Sequence, residues 1–294
     1  MIKSFLEIFI GSEVMQNENI TYITAKNKWY RVNFHEIWEY RDLMMLFVKR
    51  NITTSYKQTV LGPLWIIINP LLSTVVFTVI FGVIAGISTD GIPQFLFYMS
   101  GNVLWGFFAS CLNRGSATFL ANRSLFGKVY FPRLVSPLSD MMYSFLNYAI
   151  QMILYIGLVV VYAIITPSVR PNMYLFLLPV LVIQTAVLGM SVGLIVSSIT
   201  TKYRDLNILV SFFVSLWMYI TPVVYPASKI PDNLRWLIMA NPVAPIMEIY
   251  RHAFLGCGSF ELFYWLISIG VTIVLTVLGL IVFNKVEKNF IDTV

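Results

Sequence analysis

Six long apolar runs constrain the fold of this sequence more than any other feature. They lie at roughly 64–86, 93–113, 141–165, 173–199, 206–224 and 261–283. Each approaches the ~20 apolar residues that an α-helix needs to cross a bilayer. Only 12% of the residues are charged, about half the share that soluble domains carry. The sequence therefore predicts an all-α integral membrane protein with six transmembrane helices.

The distribution of lysine and arginine predicts which side of the membrane each loop occupies. Of the 20 cationic residues, 16 fall before helix 1, between helices 2 and 3, between helices 4 and 5, or in the tail. Positive residues favour the cytoplasmic side, so both termini are predicted to be cytoplasmic, an N-in/C-in topology. The chain then divides into a cytoplasmic N-terminal segment (1–63), a six-helix transmembrane domain (64–286) and a cytoplasmic tail (287–294).

The segment before the first apolar run has the pattern of an amphipathic helix, over about 34–57. Its apolar residues recur at the spacing of one helix face. They are Phe34, Ile37, Trp38, Met45, Val48, Ile52 and Tyr56. Such a helix with a tryptophan and flanking cations is typical of the membrane–water interface. We predict an interfacial helix on the cytoplasmic surface, and Gly62-Pro63 then turns the chain into the bilayer. The alternative is a lid helix that only packs on the bundle.

The loop between helices 2 and 3 combines cations with apolar residues that are expected to be exposed. The apolar residues are Leu125, Phe126, Val129, Tyr130 and Phe131. An apolar patch rimmed by charge on a cytoplasmic loop is typical of a docking site for a partner protein. The alternative is an ordinary solvated loop.

The connection between helices 5 and 6, near 225–260, is too apolar for a solvated loop and too interrupted for a span. Its sequence contains repeated prolines that divide it into two short pieces, near 231–240 and 243–255. We predict an outer re-entrant helix pair, which requires burial in protein or against a cavity. Glu248 and Arg251 lie three residues apart and can pair on one helix face, as a structural staple or as part of a gate.

Two aromatic pairs lie one helical turn apart within the predicted spans. They are Phe77 with Phe81, and Phe213 with Trp217. Aromatic faces can stack against a moving sugar chain, so one hypothesis places these four in a pore. The alternative is packing against lipid or in the core.

The sequence contains no motif for catalysis or for nucleotide binding. Gly127-Lys128 lacks both the upstream glycine and the following Ser or Thr of a phosphate-binding loop. The two histidines, His35 and His252, are predicted on opposite sides of the membrane and form no metal pair. The net charge of +6 includes no cationic run typical of nucleic-acid binding. We therefore predict that the chain is not an enzyme and binds no metal, cofactor or nucleic acid itself.

Three stretches of the sequence carry a resemblance to a known family. They are HEIWEYRDLMMLFVKRNITTSYKQTVLGPLW, FGKVYFPRLVSPLSD and NPVAPIMEIYRHAFLG. With the six spans, they resemble the permease subunit of type-2 ABC exporters over roughly 34–294, in the branch that exports O-antigen, capsule or teichoic acid. The resemblance implies a permease that moves lipid-linked polysaccharide across the bacterial cytoplasmic membrane.

The resemblance also implies partners. It implies a homodimer of this chain, embedded in membrane lipid and bound to two copies of a separate ATPase subunit. ATP and Mg²⁺ would be held by that partner. The implied substrate is a polysaccharide carried on a polyprenyl diphosphate.

Site residues follow from the same resemblance. Coupling to the ATPase is assigned to one segment, namely Lys128, Val129, Tyr130, Phe131, Pro132 and Arg133. Closure of the outer end of the pore is assigned to residues within 231–255, among them Asn241, Pro242, Glu248 and Arg251. Cations near the inner headgroup level can bind a diphosphate, which suggests a cytoplasmic entrance. Its candidate residues are Arg50, Lys57, Leu61 and Gly62.

Two other functions stay open from the sequence. A type-2 ABC exporter of another cargo, such as a lipid, a drug or teichoic acid, would share the fold. A membrane-embedded glycosyl- or acyltransferase would need acids or a histidine that converge at one membrane face. The external connection offers only Asp232, Glu248, His252 and Glu261 for that purpose.

Overall fold

The computed structural model describes residues 34–126, 128–129, 131–200 and 205–290, and the regular elements in these ranges are all helical. The α-helices are α1 (Phe34–Glu39), α2 (Arg41–Tyr56), α3 (Trp65–Phe77), α4 (Gln94–Ala121), α5 (Arg123–Phe126), α6 (Val135–Ile165), α7 (Leu178–Thr200), α8 (Leu206–Ile220), α9 (Asp232–Met239), α10 (Val243–Leu255) and α11 (Leu262–Phe290). The prediction of an all-α protein is confirmed for this part of the chain.

Five helical segments in the described ranges are long and apolar enough to cross a bilayer. They are Gly62–Ile84, Gln94–Ala121, Val135–Ile165, Met173–Thr200 and Leu262–Val286. The fifth predicted span corresponds to α8, which has only 15 residues. It covers about 22 Å of a hydrocarbon core that is about 30 Å thick. Helix α8 ends because Thr221 precedes a proline and adopts an extended conformation. The count of six spans is therefore not confirmed.

The first span departs from regular α-helical hydrogen bonding at two places. Pro70 lies inside α3 and cannot donate a hydrogen bond to the Ile66 carbonyl one turn earlier. The side-chain amide of Gln151 in α6 donates to that carbonyl instead, at 3.2 Å. Beyond Phe77 the chain continues as a π-helix over Thr78–Ile84. Wider π turns of this kind occur often at functional sites.

Helix α4 is buried along most of its length, and α7 packs against it most extensively. Gly189 and Gly193 form a G-x-x-x-G pattern on the face of α7 that contacts α4. A Cβ added at Gly193 would lie 2.6 Å from the carbonyl oxygen of Leu112 and 3.0 Å from the Cα of Gly115. Small residues allow two helix backbones to approach this closely, a packing mode typical of membrane helices. The glycines therefore set the distance between the two central helices.

The interval predicted for the interfacial helix is helical, but it is divided at Tyr40 into α1 and α2, and its placement at the membrane surface stays a prediction. Helix α2 packs against α6. The side chains buried in α2 are Phe47, Val48 and Asn51. Residues of the predicted apolar face that stay exposed are Trp38, Met45 and Ile52. The prediction of one apolar face is therefore wrong in part: one side packs on the bundle, as a lid helix would, and a second apolar stripe is uncovered.

The two short helices predicted between the last two apolar runs are present as α9 and α10. Helix α9 is largely exposed, whereas nearly every residue of α10 is buried. Helix α10 ends at Gly256, whose φ of 75° lies in the left-handed region that favours glycine. The re-entrant placement of this pair stays a prediction.

Candidate functional site

The segment that follows α5 is only partly exposed. Lys128 and Val129 lie on the surface, and 58% of Val129 is accessible. Phe131 and Arg133 are buried, and Pro132 is half-buried. Tyr130 lies outside the described residues.

The apolar side chains of this segment form a small core beneath it. The Phe131 ring lies 5.6 Å from the Phe47 ring of α2 and 5.6 Å from the Phe126 ring, between centroids. Phe126 in turn contacts Phe119 of α4, which stacks on Phe283 of α11 at 4.6 Å. The prediction of an exposed apolar patch is therefore wrong at Phe126 and Phe131. These rings instead connect the segment to α2, α4 and α11.

A buried polar network joins the same end of α6 to α2 and α4. The carboxylate of Asp140 accepts a hydrogen bond from the Asn51 side chain at 2.7 Å and lies 3.7 Å from the Arg114 guanidinium. Arg114 also lies 3.9 Å from the centre of the Tyr143 ring, and the Tyr143 hydroxyl donates to the Tyr56 hydroxyl at 3.2 Å. Burial raises the pKa of Tyr56, so this hydroxyl stays neutral. The Asn51 side chain and the Arg114 guanidinium thus stabilise the carboxylate of Asp140, which is buried in α6.

The residues predicted at a cytoplasmic entrance lie before the turn into the first span or within it. The Arg50 guanidinium donates a hydrogen bond to the side-chain oxygen of Asn122 at 3.0 Å, so this cation is directed toward the protein. Lys57 is exposed, and 38% of Leu61 is accessible. Gly62 has a φ of 54°, which L side chains rarely adopt. The Gly-Pro turn is confirmed, and Lys57 is the more accessible of the two predicted cations.

At the opposite end of the helices, Arg251 of α10 is buried and extensively hydrogen-bonded. Its donors reach the Ser100 hydroxyl of α4 and the carbonyls of Pro222, Val223 and Tyr225. The guanidinium lies 3.8 Å from the centre of the Phe97 ring and 3.9 Å from the carboxylate of buried Glu248. One side chain therefore satisfies three carbonyls of the irregular stretch after α8. The planar, multidentate guanidinium suits this role better than a lysine would.

Asn241 and Pro242 make a second set of contacts at this end. The side-chain oxygen of Asn241 accepts from the Trp217 indole at 3.1 Å, and its amide donates to the Thr221 hydroxyl at 2.8 Å. The Pro242 carbonyl accepts from the Ser268 hydroxyl of α11 at 2.6 Å. The four predicted outer residues thus connect the end of α8 to α10, α4 and α11.

The four aromatic residues predicted for a pore have different surroundings. Phe77 and Phe81 contact each other edge to face, with centroids 5.7 Å apart. Trp217 packs against two aromatic rings of α4, at 6.3 and 5.3 Å. Phe213 is 62% accessible. Phe213 is therefore the one of the four with the most surface available to a passing molecule.

The family model for ABC-2 type transporters matches residues 42–255, which run from α2 through α10. The chain belongs to the ABC-2 type transporter family. A Klebsiella pneumoniae protein named O-antigen export system permease protein RfbA is 31% identical over 254 residues, 85% of this chain and 94% of the relative. A Myxococcus xanthus protein of the same name is 31% identical over 222 residues, 74% of this chain and 82% of the relative.

The match includes the segment at 128–133 and the helix pair α9 and α10.

Three features of this ABC-2 permease were not predicted from the sequence: the G-x-x-x-G contact, the partners of Asp140, and the hydrogen bond from Gln151 to the kinked first span. The letters GMSVG at 189–193 carry a signal that could have indicated the first. The other two pairings join residues 89 and 85 positions apart, and no local pattern specifies them.

Proposed function

We propose that this chain is the transmembrane permease subunit of an ATP-driven exporter of O-antigen-like, lipid-linked polysaccharide. The observation that carries the proposal is the alignment with permeases named for O-antigen export over 85% of this chain and 94% of the relative. The sequence has no phosphate-binding loop. Energy would therefore come from ATP and Mg²⁺ bound to a separate ATPase subunit, and the permease itself would hold no cofactor.

In the proposed topology, six segments cross the bacterial cytoplasmic membrane with both termini inside, and residues 1–63 and 287–294 flank the membrane domain. The distribution of 16 of the 20 cations supports this orientation. Helix α8 and the stretch after it would form the fifth crossing, and α9 with α10 would re-enter from outside. Irregular backbone at membrane depth must be satisfied by protein. The donors of Arg251 meet that requirement for three carbonyls of the stretch.

The proposed assembly is a homodimer bound to two ATPase copies. Lys128 and Val129 would touch the ATPase directly because they are exposed. Phe131, with Pro132 and Arg133 beside it, would transmit the movement inward through its contact with Phe47 of α2. Tyr130 belongs to the same proposed segment.

The proposed substrate path begins at the turn before the first span. It then follows aromatic residues of the first span and of α8 to the outer end. Lys57, with Arg50, Leu61 and Gly62 nearby in sequence, would receive the polyprenyl diphosphate at the cytoplasmic side. Phe77, Phe81, Phe213 and Trp217 would line the path of the sugar chain. Aromatic faces suit this role because they stack on sugars without binding a single unit tightly. The contacts of Asn241, Pro242, Glu248 and Arg251 would close the outer end.

The test of this function is reconstitution with a candidate ATPase subunit, such as a P-loop protein encoded by a neighbouring reading frame. We expect the two chains to co-purify, and we expect lipid-linked glycan to stimulate ATP hydrolysis and to appear on the far side of the vesicle membrane. Stimulation by a lipid or drug without glycan movement would favour an ABC-2 exporter of another cargo. Sugar transfer by the purified permease alone would favour the transferase.

Replacing Val129 with glutamate is expected to uncouple the ATPase from the permease. The side chain is exposed, so the change should leave the fold intact while placing a charge in the proposed apolar contact. We expect substrate-stimulated ATP hydrolysis to fall at least tenfold, measured at equal permease and ATPase concentrations.

The comparison variant is Phe131→Ala, which removes a buried ring and should lower stability by about 3–5 kcal/mol. Its loss of activity would combine lower stability with the loss of the contact to Phe47 of α2, whereas that of Val129→Glu would report on the exposed contact with the ATPase alone. If Val129→Glu kept the full substrate-stimulated ATP hydrolysis, Val129 would not belong to the proposed contact with the ATPase.

A further inference from the structure

An apolar groove lies where α2 meets α6 and α7. Its volume is about 370 Å³. Residues that line it include Met45 and Val48 of α2, Met142 and Phe145 of α6, and Ile183 and Ala186 of α7. All of its lining side chains are apolar. A site without hydrogen-bonding side chains favours hydrocarbon over a sugar or a peptide backbone, whose polar groups would lose their water.

The α2 side of the groove carries positive charge. Arg41 and Lys49 lie four residues before and after Met45, so the three share one face of the helix. Both cations are exposed. Asp42 lies at the edge of the same face, so Arg41, Asp42 and Lys49 together carry a net charge of +1. Trp38 of the preceding helix α1 is also exposed. This combination of an apolar groove and cations matches a lipid with an anionic headgroup.

We propose that this groove binds one acyl chain of an anionic phospholipid of the cytoplasmic leaflet, with the lipid phosphate between Arg41 and Lys49. The proposal rests on the cytoplasmic placement of α2 that is part of the proposed function. A single hydrocarbon chain suits the volume of the groove. A helix of a second copy, about 10 Å across, would not enter it. The bound lipid would cover the apolar side of α2 that the bundle leaves exposed.

The experiment counts lipids on the purified full-length chain by native mass spectrometry, with phosphatidylglycerol and phosphatidylcholine offered separately. Wild type should retain phosphatidylglycerol preferentially. The preference is the ratio of retained phosphatidylglycerol to retained phosphatidylcholine. In the double variant R41Q/K49Q this ratio should fall about thirtyfold if both cations contribute fully, and about fivefold if only one of them contributes. The charge-matched control K229Q/K285Q removes two exposed cations elsewhere and should keep the preference.

A second variant tests the groove itself. Ala186→Phe fills it and should abolish retention of both lipids. The size-matched control is Gly157→Phe on α6, where an added Cβ meets no atom within 4 Å. That control should retain lipid as the wild type does.

Four outcomes would overturn the proposal. The first is equal retention of both lipids by the wild type. The second is equal lipid loss in Ala186→Phe and Gly157→Phe. The third is dissociation of a dimer by Ala186→Phe, which would make the groove a contact between copies. The fourth is selective displacement of phosphatidylglycerol by a polyprenyl phosphate, which would assign the groove to the substrate carrier. The measurement needs neither ATPase nor glycan, so its failure leaves the proposed function untouched.

Discussion

Replacing Arg251 with leucine is expected to destabilise this ABC-2 permease by about 3–5 kcal/mol. The side chain is 1% accessible. Its loss would leave the carboxylate of Glu248 buried without its cation and would strand the carbonyls that the guanidinium satisfies. The cost of such a change comes mainly from the polar groups left behind rather than from the bond removed. The measurement is the temperature at which detergent-solubilised protein loses its monodisperse peak in size-exclusion chromatography.

The chain provides a matched control for this prediction. Arg235 pairs with Glu261 in the same connection, and their side chains are 34% and 37% accessible. A pair that water reaches contributes about 0–1 kcal/mol. Arg235→Leu should therefore shift the midpoint only slightly. Arg251→Lys should fall between the two, because it keeps the charge and loses most of the donors.

Two results would contradict the role assigned to Arg251. If Arg251→Leu and Arg235→Leu lowered the midpoint equally, the hydrogen bonds of Arg251 would contribute nothing beyond an exposed pair. If Arg251→Leu kept full stability and lost only export, Arg251 would act as a gate rather than as a structural staple.

The positions of the apolar helices could be predicted from the sequence because hydropathy is a property of each segment by itself. The predicted run at 173–199 corresponds to a helical segment at Met173–Thr200. The sequence leaves the start of the run at 141–165 open, because the apolar residues before it are interrupted by Pro137 and Asp140, and α6 takes the earlier start at Val135. Pro137 lies in the first turn, where its missing N–H costs no hydrogen bond. Asp140 is tolerated because Asn51 and Arg114 compensate it.

The surroundings of Phe131, in the segment proposed to contact the ATPase, could not be predicted in the same way. Phe131 occupies a space between Phe126 and Phe47, and Phe47 lies more than 80 positions earlier in the chain. The local sequence shows an apolar residue between cations, which fits an exposed patch and a buried ring equally well. Only the tertiary contact decides between them. The same holds for α2. Its apolar residues fit a single face in the sequence, but in the structure α6 covers only some of them.

Replacing Gly193 with leucine is expected to prevent α4 and α7 from packing at their native distance. Even a Cβ at this position would lie 2.6 Å from the Leu112 carbonyl oxygen, an atom of the backbone that cannot move without shifting the helix. The larger side chain should abolish the monodisperse protein peak. Gly193→Ala should fold with a loss of about 1–3 kcal/mol from overpacking, reduced by the better helix propensity of alanine.

The control that separates packing from propensity is Gly157→Ala, because an added methyl group at Gly157 meets no atom within 4 Å. Alanine there gains up to about 1 kcal/mol of helix propensity without a clash. The same substitution should therefore raise the midpoint temperature at Gly157 and lower it at Gly193. A rise at both positions would mean that α4 and α7 separate at no cost, and the glycines would then not set the distance between them. A fall at both would mean that glycine is required for helix flexibility rather than for close approach.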